Sequence, residues 1–301
     1  NMVRLNFRTA FFAFFLSVLI QVAQANPAPV PITTMVDGGI SNGQHLQCAV
    51  YLHLPAQPVS PYKKYLNIHF FQAGAGLYTT YFDQSWAPGA DYYLTLEKPG
   101  VTPNMADPNN PNVDRKIYDN YTTQTLITCA QNALVWVDNY LGPNTEKKII
   151  LGGHSEGTVV MTNVLNNILN DPSQTHLQNE ITAVFLSGVA MDNMKDIVRY
   201  QITGDAYRQF MQAYHAQDDD YFYSHFQLGW YWMYSAFNTP KSVSEILLEI
   251  GGNPQGQKIP IQIFQGLLDK NVPYQSVLKF EDSNNAAPAD QQVLLSARYY
   301  E

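Results

Sequence analysis

The stretch that most constrains this chain is Ile149-Ile150-Leu151-Gly152-Gly153-His154-Ser155-Glu156-Gly157-Thr158-Val159-Val160. Its opening apolar run, rich in β-branched residues, reads as a buried strand that ends at a glycine pair. Beyond Gly157, the residues Met161, Val164, Leu165 and Ile168 recur at helical spacing, and Asn170-Asp171-Pro172 would stop that helix. Between strand and helix lies Gly153-His154-Ser155-Glu156-Gly157, a G-x-S-x-G sequence in the strand–turn–helix setting that a nucleophile elbow requires. Such a turn strains the serine backbone and lifts its hydroxyl clear of the sheet, while the flanking glycines let the helix pack on the incoming strand. Ser155 is therefore the expected nucleophile. The backbone N–H of Glu156 is expected to point where an oxyanion would form.

The rest of the chain supports an α/β arrangement. Strands are expected at 32–36, 46–54, 65–72, 92–97, 183–188, 259–266 and 292–300, with a helix from about 114 to 140 after a Pro/Asn-rich loop. Strands alternating with helices imply a mostly parallel central sheet with helices on both faces and right-handed connections. At 301 residues, with 46% hydrophobic and 14% charged, the chain has a globular composition and room for one large domain or two modest ones. The formal net charge of -8 argues against nucleic acid or an anionic membrane surface as the main partner. There is no phosphate loop, zinc spacing or dinucleotide fingerprint, so no cofactor and no metal is implied. Asp218-Asp219-Asp220 reads as a solvated turn, because three consecutive carboxylates do not converge on one ion.

The N-terminus reads as a targeting segment. Arg4 and Arg8 precede an apolar core from Phe11 to Ile20, and Ala23-Gln24-Ala25 fits an A-x-A cleavage site. The apolar run is about half the length of a membrane span, so a signal peptide over 1–25 is expected, with no stable membrane insertion after cleavage. The mature domain, 26–301, would then be secreted or periplasmic. Cys48 and Cys129 are the two cysteines; pairing in an oxidising compartment and two buried thiols both fit.

With these elements in order, Pro31 to Glu301 resembles the α/β-hydrolase family. The Gly153-His154-Ser155-Glu156-Gly157 form is similar to bacterial esterases and serine-aminopeptidase-like members. The resemblance implies that the turn after the third strand, at Ala73 or Gly74, supplies a second oxyanion donor, although Gln72-Ala73 replaces the usual His-Gly start. Two preorganised donors there would stabilise the charge of acyl transfer by several kcal/mol. The resemblance also implies that Asp269, in Gly266-Leu267-Leu268-Asp269-Lys270-Asn271-Val272-Pro273, is the acid that orients a histidine. Asp192 is the alternative acid position. An aromatic-rich stretch at about 190–256 falls where this fold accepts a cap; from it Trp230, Tyr231 and Trp232 are expected to line a substrate wall.

The base is harder to place. The histidines are His45, His53, His69, His154, His176, His215 and His225, and none follows Asp269, where the family's chain order puts it. His154 is expected to pack beside the elbow, pointing away from the Ser155 hydroxyl, and His215 or His225 is the fallback base. The chain order and the Asn1 ahead of Met2 raise the expectation of a gene fragment whose continuation supplies a histidine within about ten residues. The expected activity is hydrolysis of carboxylic esters through an acyl-enzyme, with a small ester or a short peptide as substrate. An aminopeptidase or amidase of the same fold and a catalytically silent hydrolase-fold binding protein are the alternatives.

Overall fold

The β-branched runs and the amphipathic stretches between them assemble into one eight-stranded sheet with helices packed against it. The computed structural model describes residues 30–55, 57–83 and 89–301. The expected targeting segment and its cleavage point at Ala25 lie outside the described residues. The strands are β1 (Ile32–Ser41), β2 (Gln44–His53), β3 (Leu66–Gln72), β4 (Tyr92–Leu96), β5 (Val101–Thr102), β6 (Asn112–Val113), β7 (Lys147–His154), β8 (Ile181–Ser187), β9 (Ile261–Gly266) and β10 (Leu295–Tyr300). The large sheet runs β1-β2-β4-β3-β7-β8-β9-β10, antiparallel from β1 to β4 and parallel from there on. This order is that of an α/β-hydrolase fold. It puts the C-terminal ends of β3, β7, β8 and β9 side by side, where an open α/β sheet holds its ligands.

The helices are α1 (Arg115–Tyr118), α2 (Thr123–Leu141), α3 (Glu156–Asn170), α4 (Thr175–Glu180), α5 (Met194–Gln201), α6 (Gly204–Ala216), α7 (Asp219–Phe226), α8 (Trp230–Phe237), α9 (Val243–Gly251) and α10 (Tyr274–Ala286). α2 and α9 both pack on α3, the helix that follows the elbow. The long helix expected from 114 to 140 is in fact two. Tyr118 and Tyr121 are fully buried at the break, and Thr122 restarts the helix with a capping box closed by Thr125. The loop between β4 and that break also holds the short β5–β6 ribbon, which the sequence did not reveal. Two-residue strands carry too little periodicity to read.

Two further expectations change in detail. The cap helices proper are α5 to α8, whereas α9, within the expected insertion, sits against α3 as part of the main helical layer. Asp218-Asp219-Asp220 is the start of α7: Asp218 accepts the Tyr221 N–H, Asp219 accepts the Trp230 N–H, and Asp220 meets Arg115 at 2.9 Å. Cys48 of β2 and Cys129 of α2 are joined by a disulfide. No helix among the described residues is long and apolar enough to cross a membrane.

Candidate active site

Ser155 sits at the turn from β7 into α3 with φ 51° and ψ −116°, a left-handed backbone that a side chain other than glycine's rarely adopts. Three bonds hold it there: the Ser155 N–H donates to Ser187 O (3.1 Å), and the Thr158 N–H and hydroxyl both donate to Ser155 O. The glycines flanking it are demanded by contact. A Cβ on Gly157 would stand 1.8 Å from Gln72 O, and one on Gly153 would stand 2.4 Å from Gly157 O. Ser155 occupies the N-cap position of α3 yet makes no capping bond with its side chain, so among the described residues its hydroxyl is not spent on the helix.

The turn after β3 closes over the serine from the other side. A Cβ on Gly74 would lie 3.0 Å from Ser155 Cβ and 3.5 Å from Ser155 Oγ; Ala73 precedes it, half-buried. Glu156 opens α3, and its side chain, for which the sequence offered no role, is buried. It accepts bonds from Trp232 Nε1 (2.5 Å) and Thr123 Oγ1 (3.0 Å). Burial pushes this carboxyl upward, opposed by the Lys98 ammonium and by the two donors. The sequence also gave no reason to single out Glu97 and Lys98, only 1% and 2% exposed. In the sequence Glu97 only ends the strand expected at 92–97, and Lys98 opens the Lys98-Pro99-Gly100 turn that closes it.

Asp269 lies in the loop after β9. Its Oδ1 accepts the N–H groups of Asn271 (2.7 Å) and Val272 (3.2 Å), which leaves Oδ2 facing Gly188. A Cβ on Gly188 would meet His154 Cε1 at 3.1 Å and Asp269 Oδ2 at 3.7 Å, so the imidazole and the carboxylate share that corner. His154 is exposed and its Nδ1 pairs with Ser187 Oγ at 3.0 Å, not with Ser155. Asp192 lines the cavity below but takes a bond from Ser276. The fallback bases stand elsewhere: His225 stacks on Tyr221 and His215 packs against Tyr214, neither touching the cavity. His45 pairs with Asp37, His53 with Thr95, and His176 with Asp138 and Glu180.

Ser155 opens into a cavity of about 320 Å³ between the sheet and the cap. Its walls are largely apolar, from Val159, Ile197, Phe226, Leu228, Trp232 and Met233. Of the three aromatics expected there, Trp232 alone lines it. Trp230 donates from Nε1 to Tyr214 O and stacks on Tyr234, and Tyr231 also stacks on Tyr234. Neighbours on a helix diverge by about 100°, so a run of consecutive aromatics cannot share one wall. Polar bonds tie the cap to the site: Trp232 to Glu156, Tyr200 OH to Asp269 O, and Gln201 Nε2 to Asn271 O.

One cluster among the described residues brings ligating atoms of Asp138, His176 and Glu180 within 4.8 Å. The buried Lys147 ammonium already stands 2.5 Å from Asp138 and 3.5 Å from Glu180, and supplies the positive charge there.

No family model and no curated protein matches the sequence. Solved structures do match in shape. Candida antarctica lipase A is 11% identical with a TM-score of 0.53, over 91% of this chain and 74% of its own. Pyrococcus horikoshii acylaminoacyl peptidase is 13% identical with a TM-score of 0.52, over 92% of this chain and 38% of its own. A puromycin-hydrolyzing peptidase from Mycobacterium tuberculosis is 13% identical with a TM-score of 0.50, over 90% of this chain and 36% of its own. At these identities the likeness is one of fold: the chain has the α/β-hydrolase fold.

Proposed function

We propose that this protein is an exported serine hydrolase that cleaves carboxylic esters through an acyl-enzyme. The observation that carries the reading is Ser155. An uncapped hydroxyl on a left-handed residue, pressed against a glycine turn and open to an apolar cavity, has no structural use that repays its strain. In this reading Ser155 Oγ attacks the ester carbonyl and gives its proton to a base oriented by Asp269 Oδ2; His154 shares the Gly188 corner with that carboxylate but is bonded to Ser187 Oγ. The oxyanion is held by the Glu156 N–H and an N–H of the Ala73–Gly74 turn. The protonated base returns the proton to the departing alcohol, and water then releases the acid by the same steps. The apolar cavity receives the acyl chain. Secretion or periplasmic residence accords with the disulfide.

The test is labelling with a fluorophosphonate probe alongside hydrolysis of p-nitrophenyl butyrate. Label should appear on Ser155 and vanish in Ser155→Ala together with activity, a loss of several orders of magnitude. Unlabelled, inactive protein would leave a hydrolase-fold binding protein instead.

A further inference from the structure

The turn after β3 is shaped less by its own sequence than by the dipeptide that follows the neighbouring strand, β4. Lys98 follows β4, and its buried ammonium donates to Gly74 O at 2.8 Å and to Gly76 O at 2.7 Å. Its remaining side faces the Tyr78 ring, with Nζ 4.1 Å from the centroid. Residues 74–78 therefore wrap around one cation. The Tyr78 hydroxyl adds a second bond to Gly74 O, at 2.7 Å. The preceding residue continues the hold: Glu97 Oε2 accepts from Thr79 Oγ1 (2.6 Å) and from the Thr80 N–H (3.0 Å).

This grip has a consequence for the peptide planes. In a trans peptide the carbonyl and the following N–H point in opposite directions. Drawing the Gly74 carbonyl toward Lys98 fixes the Gly74–Ala75 peptide plane, which anchors the C-terminal side of the Ala73–Gly74 turn where Ala75 lines the cavity. Gly74 itself is the residue pressed against Ser155. A turn that must hold donors on a developing oxyanion has to be rigid before the charge appears. A glycine-bearing turn is not rigid by itself.

We propose that Lys98 and Tyr78 are a positioning pair that presets the oxyanion turn by fixing the Gly74 carbonyl from its buried side. Neither touches substrate. Burial pushes the Lys98 ammonium downward, opposed by the Glu156 and Glu97 carboxyls near it.

The proposal rests on the serine-hydrolase reading, and its test separates the two. With Ser155-dependent hydrolysis of p-nitrophenyl butyrate established first, Lys98→Met should lower kcat roughly 10- to 100-fold with KM within about twofold. Inhibition by a phenylboronic acid, a tetrahedral mimic, should weaken by the same factor, because it too needs the oxyanion turn. A merely structural lysine would instead lower the melting temperature and leave kcat of the folded fraction intact, which would overturn the proposal. If Lys98→Met does not fold, Tyr78→Phe decides. It removes one bond to Gly74 O and keeps the ring, and should lower kcat about 3- to 10-fold at unchanged KM. An unchanged kcat in Tyr78→Phe refutes the pair even where Ser155 proves essential.

Discussion

At the scale of single residues, contact distances decide what each position tolerates. Gly157→Ala places a methyl 1.8 Å from Gln72 O, a backbone atom that cannot step aside. We expect a loss of about 3 kcal/mol or more, the upper range of overpacking. That is roughly a 5 °C fall in melting temperature for a chain of this size, read by thermal unfolding. His53 offers a different measurement. Burial pushes its imidazole from an ordinary 6.5 down to about 4, while Nε2 keeps Thr95 Oγ1 at 3.3 Å. The unfolded chain takes up a proton near pH 6.5 that the folded chain refuses until about pH 4. The stability tied to this group is thus complete above pH 6.5 and is lost as pH falls from 6.5 to 4. Because the ring is partly exposed, we expect only about 1–2 kcal/mol. Urea titrations of wild type and His53→Gln at pH 7 and pH 4.5 should show a smaller acid loss in the variant.

At the scale of elements, the β1–β2 hairpin forms one edge of the large sheet, with β1 paired on one side alone. The disulfide from Cys48 to Cys129 ties it to α2 across 81 residues of chain. Gly38, at the β1 bulge, makes this approach possible: a Cβ there would meet Cys129 Sγ at 2.9 Å. Closing a loop of that length removes roughly 4–5 kcal/mol of denatured-state freedom in the chain-entropy account. Reduction, or Cys129→Ser, should lower stability by roughly that amount and speed amide exchange first in β1 and β2. Exchange rates in the hairpin that ignore reductant would refute this.

At the scale of the whole molecule, the cavity belongs to no single element. The turn after β3, the start of α2, the elbow and α3, the loop after β8, the cap helices α5, α7 and α8, the start of α9 and the loop after β9 each give it a wall. Its size and apolar lining make a chain-length series informative. Burying a methylene contributes about 0.8 kcal/mol, so kcat/KM for p-nitrophenyl esters should rise about three- to fourfold per carbon from acetate to hexanoate. A flat series would show that the acyl chain lies outside the cavity. Trp232 joins this wall to the elbow through Glu156, so Trp232→Phe should cost about 1–3 kcal/mol in stability by leaving a buried carboxyl short of a donor.

The sequence by itself determined the local grammar of this protein. A β-branched run, two obligatory glycines and an amphipathic helix specify the elbow, because strand period, helix period and steric demand are all properties of neighbours in the chain. The alternation of elements likewise specified the sheet class, and the ends of the strands moved by only a few residues. What only the tertiary structure decided depends on residues distant in sequence. Tyr118, Tyr121 and Thr122 break a helix that periodicity alone would continue, because burial and a capping box outweigh propensity. The choice of Trp232 over Trp230 and Tyr231 was set by which face of α8 meets the core. Whether Cys48 and Cys129 pair was fixed by how α2 lies on β2. Glu97, Lys98 and Glu156 were invisible for the same reason: charged residues beside turns read as solvated until the fold removes the water around them. Desolvation is a property of the assembled molecule, and no window along the chain contains it.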